Sequence, residues 1–120
     1  MFVYLASPYT APSAQIMHER YAAAASFVAR RLEIEPEHTV YSPIVHYHPI
    51  ALQHSLPKSF DFWMKHNYNM IDRADELWVL QLQDWEESRG VNAEIQYTEK
   101  QNKPIVYWNP LNAKTPEKLA

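Results

Sequence analysis

Blocks of apolar and polar residues follow one another along this chain, and the period within each block says what it forms. Phe2 to Ala6 is a short apolar and aromatic run closed by Ser7-Pro8, the pattern of a buried strand. Pro12-Ser13 opens a helical stretch to about Leu32, in which Ile16, Tyr21, Ala24, Phe27, Val28 and Leu32 recur at helical spacing. Arg30 and Arg31 suit its C-terminal dipole, and Glu35-Pro36 stops it. Thr39 to Tyr41 reads as a second short strand, ended by Ser42-Pro43. Residues 43 to 56 hold no clear period and include Pro49, so they read as a loop with helical fragments. Helical spacing returns from Pro57 to Arg73, with Phe60, Trp63, Met64, Met70 and Ile71 on one side. Glu76 to Leu82 is the clearest strand, Asp84 to Gly90 a polar loop, and Val91 to Gln101 a helix. Pro104 to Trp108 is a last strand, its proline at the first position where no ladder donor is needed. The tail beyond Asn109 is polar, holds two prolines and reads as surface chain.

Strands alternating with helices imply βαβ units. The expected fold is α/β: a single Rossmann-like or flavodoxin-like domain over residues 1–120, with a parallel sheet of about four to five strands and helices on both faces. In such sheets ligands bind beyond the carboxyl ends of the strands, at the switch point. That edge is built from Ser7-Pro8-Tyr9, Ser42-Pro43 and the segment 83 to 94.

Composition removes several kinds of chemistry. The 120 residues suffice for one domain with a real core. Gly90 is the only glycine, so no glycine-rich phosphate cradle can be written here. Cysteine is absent, which excludes disulfides, thiol catalysis and cysteine-ligated metal sites. A net charge of −3 provides no basic stripe for polymeric nucleic acid. The longest apolar stretch, Ala22 to Ala29, is far short of the ~18 residues that a membrane span needs. The start lacks the basic region and cleavage site of a signal peptide, so a soluble, cytoplasmic protein is expected.

The segment from Asp84 to Glu94 is the most informative for function. Its glycine sits between loop and helix, where the backbone must turn or approach a ligand. Ser88 lies near the helix N-terminus, whose free amides favour an anion, and Glu94 follows about one turn in. The plainer reading is that Ser88 caps the helix and Glu94 complements its dipole.

Three stretches carry a family resemblance: Tyr4-Leu5-Ala6-Ser7-Pro8-Tyr9, Ala74-Asp75-Glu76-Leu77-Trp78-Val79-Leu80, and Trp85 to Glu94 with its Gly-Val-x-x-Glu helix start. Together they resemble the nucleoside 2-deoxyribosyltransferase superfamily and, within it, the DUF1937 branch, over Met1 to about Trp108. The resemblance implies a nucleoside 2-deoxyribosyltransferase-like domain, with Glu94 as nucleophile and Tyr4, placed at the end of the first strand, hydrogen-bonded to it. It implies that Ser88, six positions before the glutamate, suits a 5′-phosphate where an acidic residue would suit a hydroxyl. The superfamily's base-contacting aspartate falls here on Asn67, which can hydrogen-bond a base but cannot supply a proton. Asp61 or Asp72 then takes over as acid, or the base leaves with little help, or catalysis has been lost.

The chemistry is consistent with that family. A carboxylate can attack an anomeric carbon of oxocarbenium character and hold a covalent sugar intermediate. The site expected is therefore Glu94 and Tyr4 as catalytic residues, with Ser7, Pro8, Tyr9, Ser88, Gly90, Asn67, His46 and Trp85 binding substrate. His46 and His48, with His54 and His66, invite a metal reading. They lack a carboxylate at ligand spacing, so no metal and no cofactor are expected, and a pocket-wall role suits His46 better. Trp63, Trp78 and Trp108 read as core or interface; Arg20 and Arg89 are candidate phosphate partners. The expected ligand is a small nucleoside or nucleotide and the expected reaction that of a hydrolase (N-glycosidase) or transferase. The alternatives are a nucleotide-binding module that turns nothing over and an assembly subunit with a relic pocket. The resemblance further implies a homo-oligomer, dimer or tetramer, in which residues near Asn109 to Asn112 reach across.

Overall fold

Alternation within the strands decides which face each helix covers. The computed structural model describes residues 1–110 and the backbone of residues 117–119. Strands β1 (Phe2–Ala6), β2 (Thr39–Tyr41), β3 (Glu76–Leu80) and β4 (Ile105–Asn109) form a parallel sheet in the order β2-β1-β3-β4. Val3, Leu5, Trp78, Leu80 and Trp108 point to one face and pack on Phe27 and Val28 of α1 (Ala14–Ile34). Tyr4, Ala6, Leu77 and Val79 point to the other, against Ile71 of α3 (Phe60–Arg73) and Val91 of α4 (Arg89–Glu99). The chain moves one way from β1 to β2 and the opposite way from β1 to β3 and β4. With right-handed crossovers, that reversal is what sends α1 to one face and α3 and α4 to the other. This is the Rossmann-like, flavodoxin-like arrangement expected, and its switch point lies between β1 and β3.

Three elements depart most from the sequence reading. Residues expected as a loop form α2 (Pro43–His54). Ser42 caps it by accepting from the Val45 amide at 3.2 Å, Pro43 takes the first-turn position, and left-handed Ser55 ends it. Those ends compensate for the donor that Pro49 lacks inside the helix. The third helix begins at Phe60 rather than Pro57. The tail also returns to the sheet. Residues Glu117–Leu119 form β5, which pairs with β4 antiparallel, because the link 110–116 is too short for a parallel crossover. Among the described residues no helix is long and apolar enough to cross a membrane.

Candidate functional site

Tyr4, Asn67 and Glu94 come from three elements and meet beneath the carboxyl edge of the sheet. Tyr4 sits in the middle of β1, not at its end as expected, on the face covered by α3 and α4. The length of its phenol carries the hydroxyl to Glu94, to which it donates at 2.5 Å. The Asn67 amide, from the buried side of α3, donates to the same oxygen, Oε2, at 3.2 Å. Oε1 is left without a hydrogen-bond partner among the described residues.

Glu94 is only 4% exposed. Burial pushes its carboxyl up to about 7, against the hydrogen bonds from Tyr4 and Asn67 that hold it down. At neutral pH it is therefore poised between its two forms rather than fully ionised. Burial, and then the neighbouring Glu94 carboxylate, drive the Tyr4 hydroxyl well above its ordinary range, so Tyr4 remains a donor.

A cavity of about 330 Å³ opens onto Glu94 and Asn67, within the size range of small-molecule sites. Ser7 and Tyr9 line it from the loop after β1, and Ile44, Tyr47, His48 and Ala51 from α2. Lys58 and Ser59 precede α3; Phe60 and Trp63 follow on that helix. Ser88, Arg89 and Gly90 close it at the start of α4. Three lining side chains hold a buried polar atom without a partner: Ser7 Oγ, His48 Nε2 and Asn67 Oδ1. Buried groups of that kind are rare unless a ligand or water meets them.

Several expected residues are brought together here. Glu94, Ser7, Tyr9, Ser88, Gly90 and Asn67 share the cavity wall, with Tyr4 behind Glu94. Ser88 does cap α4, accepting from the Val91 amide at 3.2 Å. That role leaves its hydroxyl proton free to donate. Gly90 turns nothing: it lies inside the first turn of α4 with no positive φ. Its missing side chain instead admits Phe60, whose ring carbon is 3.0 Å from where a Cβ would sit.

Other expected residues lie outside the cavity lining. His46 is exposed and packs beside Tyr41 and Tyr47. On a helix, a two-residue spacing sends His46 and His48 to different sides, so His48 takes the cavity wall. Trp85 lies in a 3-10 turn (Trp85–Glu87) against Tyr107, not in the cavity. Pro8 is buried behind Ser7 and outside the lining. Arg20 clamps the loop after β1 through the Tyr9 and Thr10 carbonyls. Asp61 pairs with Arg89 at 2.8 Å on the exposed rim, and Asp72 is held by Tyr97 and Gln101; neither lines the cavity. Asn109 ends β4, and residues 111 and 112 lie outside the described residues.

His48 and Trp63 are the functional candidates that sequence reasoning missed. Tyr9 and His48 Nδ1 are 2.5 Å apart; with the phenol as donor, Nε2 carries the ring proton. Burial lowers the pKa of His48, and His18 and Lys58 lower it further, which keeps the ring neutral. Trp63 stacks on Tyr47 with ring centroids 4.4 Å apart and forms an aromatic side of the cavity. The signal for α2 was present: Ile44, Tyr47, His48 and Ala51 have the spacing of one helix face.

The chain matches the family model described as "Domain of unknown function (DUF1937)" over residues 1–110, and so belongs to that family. No curated protein matches it.

Proposed function

We propose that this member of the DUF1937 family cleaves the N-glycosidic bond of a nucleoside 5′-monophosphate or nucleoside, by hydrolysis or by sugar transfer. Its motifs resemble those of the nucleoside 2-deoxyribosyltransferase superfamily, and the chemistry follows that pattern. The observation that carries the reading is the buried Glu94 carboxylate, held through one oxygen by Tyr4 and Asn67 at a cavity on the switch point.

In the first step Oε1 attacks the anomeric carbon as the base departs, giving a glycosyl ester. Tyr4 and Asn67 keep the carboxylate oriented and partly offset the cost of burying its charge. Water, or a second base, then takes the sugar and frees Glu94. Ser88 and the first-turn amides of α4 hold a 5′-phosphate. Ser88 lies six residues from Glu94, about 9 Å along the helix, which leaves room for a sugar between them.

Asn67, an amide where an acid would protonate the base, favours a second reading: a module that binds the nucleotide without turning it over. Incubation with deoxynucleosides, nucleosides and their 5′-monophosphates, with free base followed by chromatography, separates the two. Base release abolished by Glu94→Gln supports the enzyme. Saturable binding with no release supports the module. In the enzyme reading the chain is also a homo-oligomer, which light scattering at micromolar concentration checks; a monomer refutes it.

A further inference from the structure

Glu94 is a buried carboxylate whose hydrogen-bond partners, Tyr4 and Asn67, are both neutral, and among the described residues no cation pairs with it. A lone buried charge is costly, and such charges are otherwise paired. Beside it, Asn67 is 6% exposed. With its amide nitrogen spent on Glu94, its oxygen is left as an unpartnered acceptor. Trp63 and Tyr47 offer aromatic faces in the same cavity, surfaces that attract cations. Glu94 and Asn67 thus give their part of the wall a carboxylate and a bare carbonyl oxygen, and Trp63 and Tyr47 add π-faces to the same cavity.

The opposite end is rich in donors. Phe60 rests on Gly90 and Asp61 bridges to Arg89, so the N-termini of α3 and α4 lie side by side. Lys58, Ser59, Ser88 and Arg89 gather there with the exposed Glu87 carboxylate at the rim, the amides of both helix N-termini favour an anion, and the capping oxygen of Ser59 makes no side-chain bond to its helix. A ligand matching both ends is anionic at one and cationic at the other.

The catalytic groups say the same. A neutral purine leaves an anomeric carbon only with a proton, and among the described residues the carboxyl groups lining this cavity are Glu94 and the exposed Glu87. Glu94 is committed as nucleophile, and His48 is neutral with its Nδ1 engaged by Tyr9.

We infer that the substrate is a nucleotide whose base is already cationic, such as an N7-alkylated purine or a pyridinium ribotide. This rests on the N-glycosidase reading above. The C1′–N bond breaks with its electron pair moving to the ring, which becomes neutral without a proton. Oε1 forms the C1′–O bond. Water then displaces Glu94 from C1′ and its proton leaves to solvent.

The test is a matched pair, 7-methylguanosine 5′-monophosphate against guanosine 5′-monophosphate in ribo and 2′-deoxy forms, with nicotinamide mononucleotide as the pyridinium probe. Rates are taken over a Glu94→Gln blank, which removes spontaneous base loss. The wild-type protein is expected to release base from a cationic nucleotide at least a hundredfold faster than guanine. Folded Asn67→Asp, with an acid restored, is expected to gain guanine release. Glu94-dependent guanine release within a hundredfold of the faster cationic probe overturns the inference and leaves the N-glycosidase reading standing. An Asn67→Asp protein that folds, by circular dichroism, yet still spares guanosine monophosphate also overturns the inference. No Glu94-dependent release from any of these nucleotides overturns both.

Discussion

Replacing Glu94 by glutamine is expected to stabilise the protein at pH 8 and to do almost nothing at pH 4.5. In the folded chain the carboxyl keeps its proton to about 7, against 4.5 for an unperturbed glutamate. Between those values the native state holds a proton that the unfolded chain has released, so stability falls as pH rises through the window and levels off above it. At about 1.36 kcal/mol per unit, the loss is about 3 kcal/mol by pH 8. Glutamine carries no charge to desolvate, and its side-chain oxygen can still accept from Tyr4. The difference between the two proteins should therefore be near zero at pH 4.5 and approach about 3 kcal/mol at pH 8. Other titrating groups are common to both and cancel. Urea unfolding at the two pH values reads this directly: for a slope of roughly 1–3 kcal/mol/M, the midpoint rises by ~1–3 M at pH 8 with the slope unchanged. A glutamine variant equal to or less stable than wild type at pH 8, or a difference independent of pH, would refute the account of Glu94 as an uncompensated buried carboxylate. The expected pattern is that of a site where function is maintained at the expense of stability.

Five further outcomes follow. Tyr4→Phe removes a hydrogen bond that holds the Glu94 carboxyl down, so the rising limb of the pH–rate profile, near 7 in the wild type, should move to higher pH. Ser88→Asp keeps the cap of α4 but places a negative charge beside the phosphate end, so it should reverse a preference for the monophosphate while leaving the urea midpoint unchanged. Ser88→Ala should lose about 1 kcal/mol of stability as well as the preference. Gly90→Ala brings a methyl to 3.0 Å from the Phe60 ring; overpacking should outweigh the gain in helix propensity for a net loss of about 1 kcal/mol in urea unfolding, relieved by Phe60→Leu. Base release should be unchanged by a chelator, because the nucleophile is a carboxylate; loss restored by a divalent ion would contradict this.

Much of the scaffold was legible because its apolar periods are clean. β1 and β3 are short apolar runs, and α1 carries a long stripe, since each has a sheet face or helix to bury against. The segment 43–54 defeated the same reading for a physical reason. Its stripe of Ile44, Tyr47, His48 and Ala51 faces a cavity, so polar and aromatic residues stand where a core would demand aliphatic ones. With that segment read as a loop with helical fragments, nothing in the pattern separates His46 from His48 as the wall residue; the helix does. Gly90 was read through its backbone freedom, whereas a contact thirty residues away in sequence, with Phe60, is what requires it. Pairing of Tyr4 with Glu94 came from the resemblance alone, because no local period links residues ninety positions apart. Strand β5 lies in a polar tail with no hydrophobic alternation to announce it.

The cavity-facing helix α2 has a bearing on how this family diversifies. Neither of the two cores on the sheet faces draws a side chain from residues 43–54. Tyr4, Asn67 and Glu94 are instead anchored in the strand and helices that make one of those cores. Reactive groups and selecting wall are thus written in separate stretches of sequence. Exchanges at Ile44, Tyr47 or His48 can reshape what enters while the sheet and its carboxylate stay as they are, so substrate range can drift among relatives faster than chemistry does.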